Sequence, residues 1–257
     1  MQIATWNINS VKARLPNLLE WLAAAQPDVL LLQEIKCQTD DFPLMEIRAA
    51  GYQAVALGQK SYNGVAILSR HPIEDVRLGL PGDDSDEQAR YIEATVRGLR
   101  IGGLYLPNGN PAPGPKYDYK LAWMARLRAH AEDLVQGDLP VVLTGDYNVC
   151  PTDFDVYDPI GFATDALCLP ASRAAFRALL NVGFTEAYIA LHPNAAHHYT
   201  FWDYQGRAFE RGDGLRIDHF LLSGLAADRL EKCEIDVGPR GREKASDHTP
   251  VICTLRD

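Results

Sequence analysis

No stretch of this chain approaches the roughly 18 consecutive apolar residues that a bilayer-spanning helix requires. Its first residues, MQIATWNINS, carry neither a basic head nor an apolar leader segment, so a cytoplasmic location is the expectation. Cysteine is scarce. The five present (Cys37, Cys150, Cys168, Cys233 and Cys253) are odd in number and form no C-x-x-C pair, which excludes a disulfide framework and a zinc site as the organising principle. There is no Pro/Ser-rich linker and no low-complexity run, and residues 1–257 read as a single domain. Positive charge is also in short supply. Twenty-five Lys and Arg against 34 Asp and Glu leave a formal net charge of −9, the opposite of the basic footprint by which nucleic-acid binders hold phosphate. Net charge governs solubility more than sites, however, and a divalent metal with a few placed cations makes a local positive potential even in an acidic protein.

What the chain does have is a succession of short apolar runs. Strand patterns cover Gln2 to Trp6, Val29 to Gln33, Val65 to Ser69, Arg90 to Arg97, Ile101 to Leu106, Val141 to Thr144, Arg216 to Leu222 and Val251 to Leu255. Helical spacing covers Leu15 to Ala25, Lys116 to Val135, with Leu121, Met124, Leu127 and Leu134 as its stripe, and Ser172 to Asn181. The strands from Val65 to Leu106 follow one another without helices, which favours antiparallel ladders over a doubly wound parallel sheet. Two packed sheets flanked by helices fit this order.

Several of these dry runs end in groups that a dry strand has no use for. Asp146 and Asn148 follow Leu139-Pro140-Val141-Val142-Leu143-Thr144; Asn7 closes the first run and Glu34 the second; Asp218 sits inside an apolar strand; Asp247 and His248 precede the last. A lone buried carboxylate costs several kcal/mol or more, on the order of any unpaired buried charge. Each residue alone has a structural reading: Asn7 as a turn amide, Glu34 as a solvated strand end, Asp218 paired to Arg216, His248 as a satisfied loop histidine. Together they are the groups that metal-assisted phosphodiester hydrolysis requires. Glu34 and Asp247 supply hard oxygen ligands. Asp146 takes the proton of an attacking water that Asn148 orients, on the expectation that both project from one face of a continuing strand. Asn7, protonated His248 and a tyrosine hydroxyl stabilise the charge that develops on phosphate, and Asp218 fixes the His248 tautomer.

The order Trp-Asn-Ile-Asn, Leu-Gln-Glu, Tyr-Asn-Gly-Val-Ala-Ile-Leu, Gly-Asp-x-Asn, Gly-Leu-Arg-Ile-Asp and Ser-Asp-His-x-Pro-Val, spread from Gln2 to Thr254, resembles the exonuclease III branch of the endonuclease/exonuclease/phosphatase superfamily. The resemblance implies an α/β fold, a four-layer sandwich of two packed mixed sheets flanked by helices. It implies Mg²⁺ or Mn²⁺ dependence and a monomer acting on double-stranded DNA, with incision 5′ to abasic sites, 3′ to 5′ exonuclease activity and cleaning of 3′ ends. Carried over by position, Glu34 matches the metal-binding glutamate and Asp247 the aspartate near the metal. Asn7 matches the active-site amide, Tyr105 the phosphate-contacting tyrosine, Asp146 and Asn148 the water-activating pair, and Asp218 and His248 the hydrogen-bonded acid and histidine. The candidate metal set is therefore Asn7, Glu34, Asp146, Asn148, Asp247 and His248. Asn9 stands where some relatives carry an aspartate. Leu215 stands where some abasic endonucleases carry tryptophan, which leaves Phe201, Trp202 and Ile217 beside it as the walls expected for a flipped abasic sugar. The segment Val156 to Pro170 resembles the family least.

Lys116, Lys120 and Arg126 have two readings, as DNA phosphate contacts or as a solvated helix face; Arg90 is expected near substrate in a supporting position. His197 and His198 read as a loop pair rather than a metal pair, Asp153 as a loop or capping residue, and Gly238 to Lys244 as a mobile loop whose charges face substrate. Two other functions compete. A phosphatase or phospholipase of the same superfamily needs a head-group pocket, and a non-catalytic nucleic-acid-binding regulator needs damage at the positions above, all of which are intact.

Overall fold

In the run Val29-Leu30-Leu31-Leu32, alternate side chains enter two different cores. Leu31 joins an apolar layer with Ile3, Ile67, Ile92, Ile101, Val142 and Phe220, whereas Leu30 and Leu32 pack with Leu18, Trp21, Leu22 and Ile47. A strand buried on both faces loses the polar–apolar alternation and reads as a continuous apolar run. The computed structural model describes residues 1–257. Strands β1 (Gln2–Asn7), β2 (Val29–Gln33), β3 (Gln53–Leu57), β4 (Val65–Ser69), β11 (Leu230–Ile235) and β12 (Val251–Leu255) form one six-stranded sheet in the order β11-β12-β1-β2-β4-β3. Strands β5 (Glu74–Leu78), β6 (Tyr91–Val96), β7 (Leu99–Tyr105), β8 (Val141–Asp146), β9 (Phe184–Glu186) and β10 (Asp218–Ser223) form a second in the order β5-β6-β7-β8-β10-β9. Helices α1 (Leu15–Ala25) and α2 (Leu44–Ala49) cover the first sheet; α3 (Pro115–Leu134) and α4 (Pro170–Leu180) cover the second. The result is the four-layer α/β sandwich.

Both sheets are mixed. β1 and β2 run parallel with Asn7 beside Gln33, β7 and β8 run parallel with Tyr105 beside Asp146, and β10 lies antiparallel to β8 with Asp218 opposite Asp146. The antiparallel ladders expected from Val65 to Leu106 are present but divided between the two sheets: β4 pairs with β2 and β3, and the chain crosses to the other sheet, where β5, β6 and β7 pair in succession. β3, β5, β9 and β11 carried no readable pattern. β5, with all five residues exposed, and β11 are sheet edges, where solvent removes the pressure for apolar side chains. In α3 the buried stripe is Tyr117, Lys120, Trp123, Met124, Leu127, His130 and Ala131, and Leu121 stays half-buried at its margin. A lysine and a histidine thus occupy core positions that the apolar pattern left out.

Candidate active site

Parallel strands deliver their C-terminal ends to one edge, and the functional side chains collect there. Asn7, the last residue of β1, is fully buried and donates from Nδ2 to Glu34 Oε1 at 2.9 Å and to Asp146 Oδ2 at 3.0 Å. One amide therefore ties the two sheets together across the site. Glu34 follows β2 in a left-handed conformation (φ 48°), and Lys36 places Nζ 2.8 Å from its Oε2. Burial opposes the Glu34 charge, but the donors Asn7 and Lys36 outweigh it and hold the carboxyl below its ordinary range. Lys36 was not singled out by the sequence reading; the Glu-x-Lys spacing was its only signal.

On the second sheet, Tyr105, Asp146 and Asp218 stand in one row across β7, β8 and β10. Gly145 makes the row possible: at φ 147° it brings the strand so close that a Cβ there would lie 1.9 Å from the Leu104 carbonyl oxygen. His248 reaches the row from the loop before β12, with Nδ1 2.8 Å from Asp218 Oδ2 and Nε2 3.6 Å from Asp146 Oδ2. The Asp218 pairing is thus with His248; Arg216 turns instead to Asp155 and Glu186. Burial opposes the His248 charge, but the carboxylates Asp218 and Asp146 outweigh it and raise the ring to about 10, so it stays protonated at neutral pH. For Asp146, burial is the dominant effect. It pushes the carboxyl up to about 7 and Asp218 adds to the rise, while His248, Asn7 and the Asn148 N–H pull the other way. Tyr105 keeps its proton: burial, with the Glu34 and Asp146 charges behind it, lifts the phenol well above its ordinary value.

Asn148 does not continue the strand. Its φ of 46° turns the chain back, and its N–H donates to Asp146 Oδ1 at 2.9 Å. Its side chain still reaches the cleft, held by Leu106 O at 2.9 Å and Asn108 Nδ2 at 3.1 Å. The placement was expected but the cause differs: a tight turn, not strand periodicity, sets the two residues together. Lys120 is wholly buried beneath this turn, donating to the carbonyls of Asn108 and Asn148, so it touches no DNA phosphate.

These residues floor a cleft of about 700 Å³. Glu34, Tyr105, Asp146, Asn148, Asp247 and His248 line it, with Phe201, Leu215 and Ile217 as an apolar wall. Ligand atoms of Glu34, Asp146 and His248 lie within 4.8 Å of one another. Asp247 stands beside that trio, bound by Asn9 Nδ2 at 3.0 Å. Oxygen-rich donors of this kind suit a hard divalent cation, and Glu34, only partly buried, is the accessible one. Asp218 Oδ1 is buried with no hydrogen-bond partner.

A family described as the endonuclease/exonuclease/phosphatase family matches residues 4–248. The chain belongs to that family. Among relatives, it is similar to exodeoxyribonuclease III of Haemophilus influenzae, 33% identical over 264 residues that cover 98% of each protein. The fold is that of a 3′ phosphatase from Neisseria bound to a product DNA hairpin, with a TM-score of 0.97 and 41% identity over the whole of both chains. It is also that of an AP endonuclease from Archaeoglobus fulgidus, with a TM-score of 0.96 and 36% identity over the whole of both chains.

The other residues singled out in the sequence lie outside the cleft, Arg90 and the histidine pair in keeping with their reading and the rest not. Trp202 is buried among Tyr199 and Phe209, away from the apolar wall. Arg90 lies behind the site, its guanidinium 4.7 Å from the centre of the Tyr105 ring. His197 and His198 turn to different partners, Tyr199 and Tyr188. Arg126 is tied to Asp86. Asp153, expected in a loop or a cap, opens a short 3₁₀ turn and pairs with Arg173, and the cap of that turn is made by Thr152 with Asp155. Gly238–Gly241 is a short turn rather than an open loop, and Arg240 faces inward onto the carbonyl of Trp202. Conversely, Tyr157, Phe162, Asp165 and Leu167, from the segment least like the family, line the cleft.

Proposed function

We propose that this protein is a metal-dependent DNA repair phosphodiesterase. It incises double-stranded DNA 5′ to abasic sites, degrades strands from 3′ ends and cleans blocked 3′ termini. The observation that carries this reading is the arrangement of Asp146. It is buried, 3.6 Å from protonated His248 and tied through Asn7 to Glu34, with an apolar wall across the same cleft. The three relatives, an exonuclease, a 3′ phosphatase and an abasic endonuclease by name, point the same way.

In this reading Asp146 accepts the proton of the attacking water, and Asn148 keeps that carboxylate and the water in line. His248, held protonated by Asp218, and the Tyr105 hydroxyl donate to the phosphate oxygens as charge builds on them. Glu34 and Asp247 would hold a divalent cation, Mg²⁺ or Mn²⁺, which when bound would supply charge neutralisation to the phosphate. Phe201, Leu215 and Ile217 take the sugar that has lost its base. Because the site draws on both sheets, residues 1–257 act as one catalytic domain. The reading extends to a monomer in the cytoplasm. The intact site tells against the regulator alternative, and the relatives are named for DNA nuclease and DNA 3′-phosphatase activity rather than for a head-group phosphatase.

The test is a duplex carrying one abasic analogue, incubated with Mg²⁺ or with EDTA, beside an undamaged duplex with a recessed 3′ end. Magnesium-dependent incision 5′ to the lesion supports the proposal, and loss of the undamaged end alone narrows it to an exonuclease. DNA binding without cleavage of either overturns it.

A further inference from the structure

The apolar wall of the catalytic cleft does not stop at Phe201, Leu215 and Ile217. Phe162 packs with Phe201 on the same cluster of Val156, Leu167, Leu215 and Ile217, and Tyr157 meets Phe162 edge to face with ring centres 5.5 Å apart. Both rings line the cleft. Neighbours on an extended chain point opposite ways, and here Val156 is fully buried in the cluster while Tyr157, next to it, is 40% exposed. Aromatic surface left open inside a cleft marks a place where something else packs. The two rings are also held from behind. Val156 is bridged to Leu215, the Tyr157 N–H donates to Gly214 O at 3.1 Å, and the Cys150 N–H donates to Leu167 O at 3.0 Å, so the rings stand on fixed backbone.

Charge decides what can lie there. Residues Val156 to Pro170 carry Asp158 and Asp165 and no Lys, Arg or His. Such a segment repels phosphate, so the part of a nucleic acid it can take is a base, whose flat faces are uncharged and stack on aromatic rings. A cleft of about 700 Å³ has room for a whole nucleotide as well as for a sugar without its base. We infer that Tyr157 and Phe162 form a stacking face for the base of an intact 3′-terminal nucleotide, whose phosphodiester lies at Asp146 and His248. The inference rests on the phosphodiesterase reading and adds to it the residues that serve undamaged 3′ ends: a baseless sugar needs only the inner wall of Phe201, Leu215 and Ile217, whereas a complete nucleotide needs the outer rings as well. Stacking accepts every base, as removal of successive nucleotides requires.

The test sets side by side two 3′ ends that differ only in the base: a duplex whose recessed strand ends in an ordinary deoxynucleotide, and the same duplex ending in a baseless tetrahydrofuran residue. On the first, Tyr157→Ala binds roughly tenfold more weakly than the wild type in EDTA, and in Mg²⁺ its kcat/KM for removal of the terminal nucleotide falls by about the same factor, the scale of one lost base–aromatic stack. On the second, both quantities change by less than about twofold, because no base is there to stack. Tyr157→Phe, which keeps the ring, restores the values on the first end and so separates stacking from a role of the hydroxyl. Equal losses on the two ends, or no loss on either, overturn the inference, and so does a Tyr157→Phe variant that loses as much as Tyr157→Ala. A wild type that binds both ends and cuts neither in Mg²⁺ strikes instead at the phosphodiesterase reading, while the affinities in EDTA still decide the stacking.

Discussion

Two of the carboxylates that the second sheet buries, Glu93 and Asp146, behave in opposite ways. Glu93, in β6, is 1% exposed and fully engaged: Tyr91 Oη at 2.6 Å, His130 Nε2 at 2.7 Å, Arg77 Nε at 3.1 Å and Arg100 all serve its two oxygens. Burial opposes its charge, yet these donors hold it far down, at about 2. Asp146, two strands away, is buried to the same degree but meets no cation within hydrogen-bonding distance, and burial pushes it up to about 7. Side-chain chemistry and depth are similar; the difference lies in how many donors the fold supplies. A carboxylate with every lone pair taken is part of the structure. One left short of donors keeps a lone pair for a proton, and a cation brought in by Glu34 would lower it further towards its charged form.

The largest effect should come from removing that free lone pair. Asp146→Asn is expected to lower turnover on an abasic duplex by about 10²- to 10⁴-fold, the range of a general base, because an amide takes no proton from water. Folding should survive, since the substitution removes a buried charge that lacks a cationic hydrogen-bond partner. Single-turnover incision with DNA binding by anisotropy and unfolding in urea checks all three; a variant that fails to fold or to bind would erase the contrast with Glu93.

Glu93→Gln should do the reverse, destabilising the protein by about 3–5 kcal/mol, the scale of a broken buried ion pair, with kcat of the folded enzyme unchanged. The pH dependence follows from the same donors. Glu93 and Glu186, the latter also held at about 2 against burial by Arg216 and His219, have folded values below the ordinary 4.5. Their contribution is complete above pH 4.5 and is lost as pH falls towards 2, by about 3 kcal/mol for each. Urea midpoints across that window should fall less steeply for Glu93→Gln than for the wild type. Equal slopes would show that Glu93 is not the group being protonated.

The two regions also differ in how far they could be read from the sequence. Asn7, Glu34, Asp146, Asp218 and His248 were visible because each interrupts or ends an apolar run, and a dry strand has no reason of its own to carry such groups. Glu93 sits in an apolar run as well, but its partners Tyr91, Arg100 and His130 lie on β6, β7 and α3, and no local spacing announces a network assembled by packing. Trp202 was misplaced because a buried aromatic and a cleft aromatic have the same local sequence pattern. The exposed β5 was missed for want of any pattern. Asn148 was placed for the wrong reason, since strand periodicity and a left-handed turn both bring residues two apart to one side.

Lys120 lies between the two regimes: a buried cation, brought down to about 8 by burial, serving backbone carbonyls rather than a carboxylate. It carries no chemistry itself but fixes the turn that holds Asn148. Lys120→Met, which keeps the volume of the stem, should reduce kcat roughly tenfold and leave DNA affinity intact, a split expected when positioning rather than binding is lost. The two orphaned carbonyls should destabilise the protein by about 1–3 kcal/mol each. A loss of affinity with unchanged kcat would place Lys120 with the binding groups instead.

The smallest effect is expected at the apolar wall. Phe201 lines the cleft with its ring 5.1 Å from that of His248, and its backbone is bridged to Leu215 and His248. The backbone bridges survive truncation, so Phe201→Ala removes contact area from the cleft without unmaking the frame. A ribose without a base fits against such a wall, whereas an intact nucleotide must bring its base as well. The variant should therefore lose roughly fivefold in kcat/KM on the abasic duplex, about 1 kcal/mol and the lower end of what a pocket contact contributes to discrimination. Activity on an undamaged recessed 3′ end should change less. If both substrates lose equally, the ring acts on both through His248, and the wall belongs with the catalytic charges rather than with recognition of the lesion.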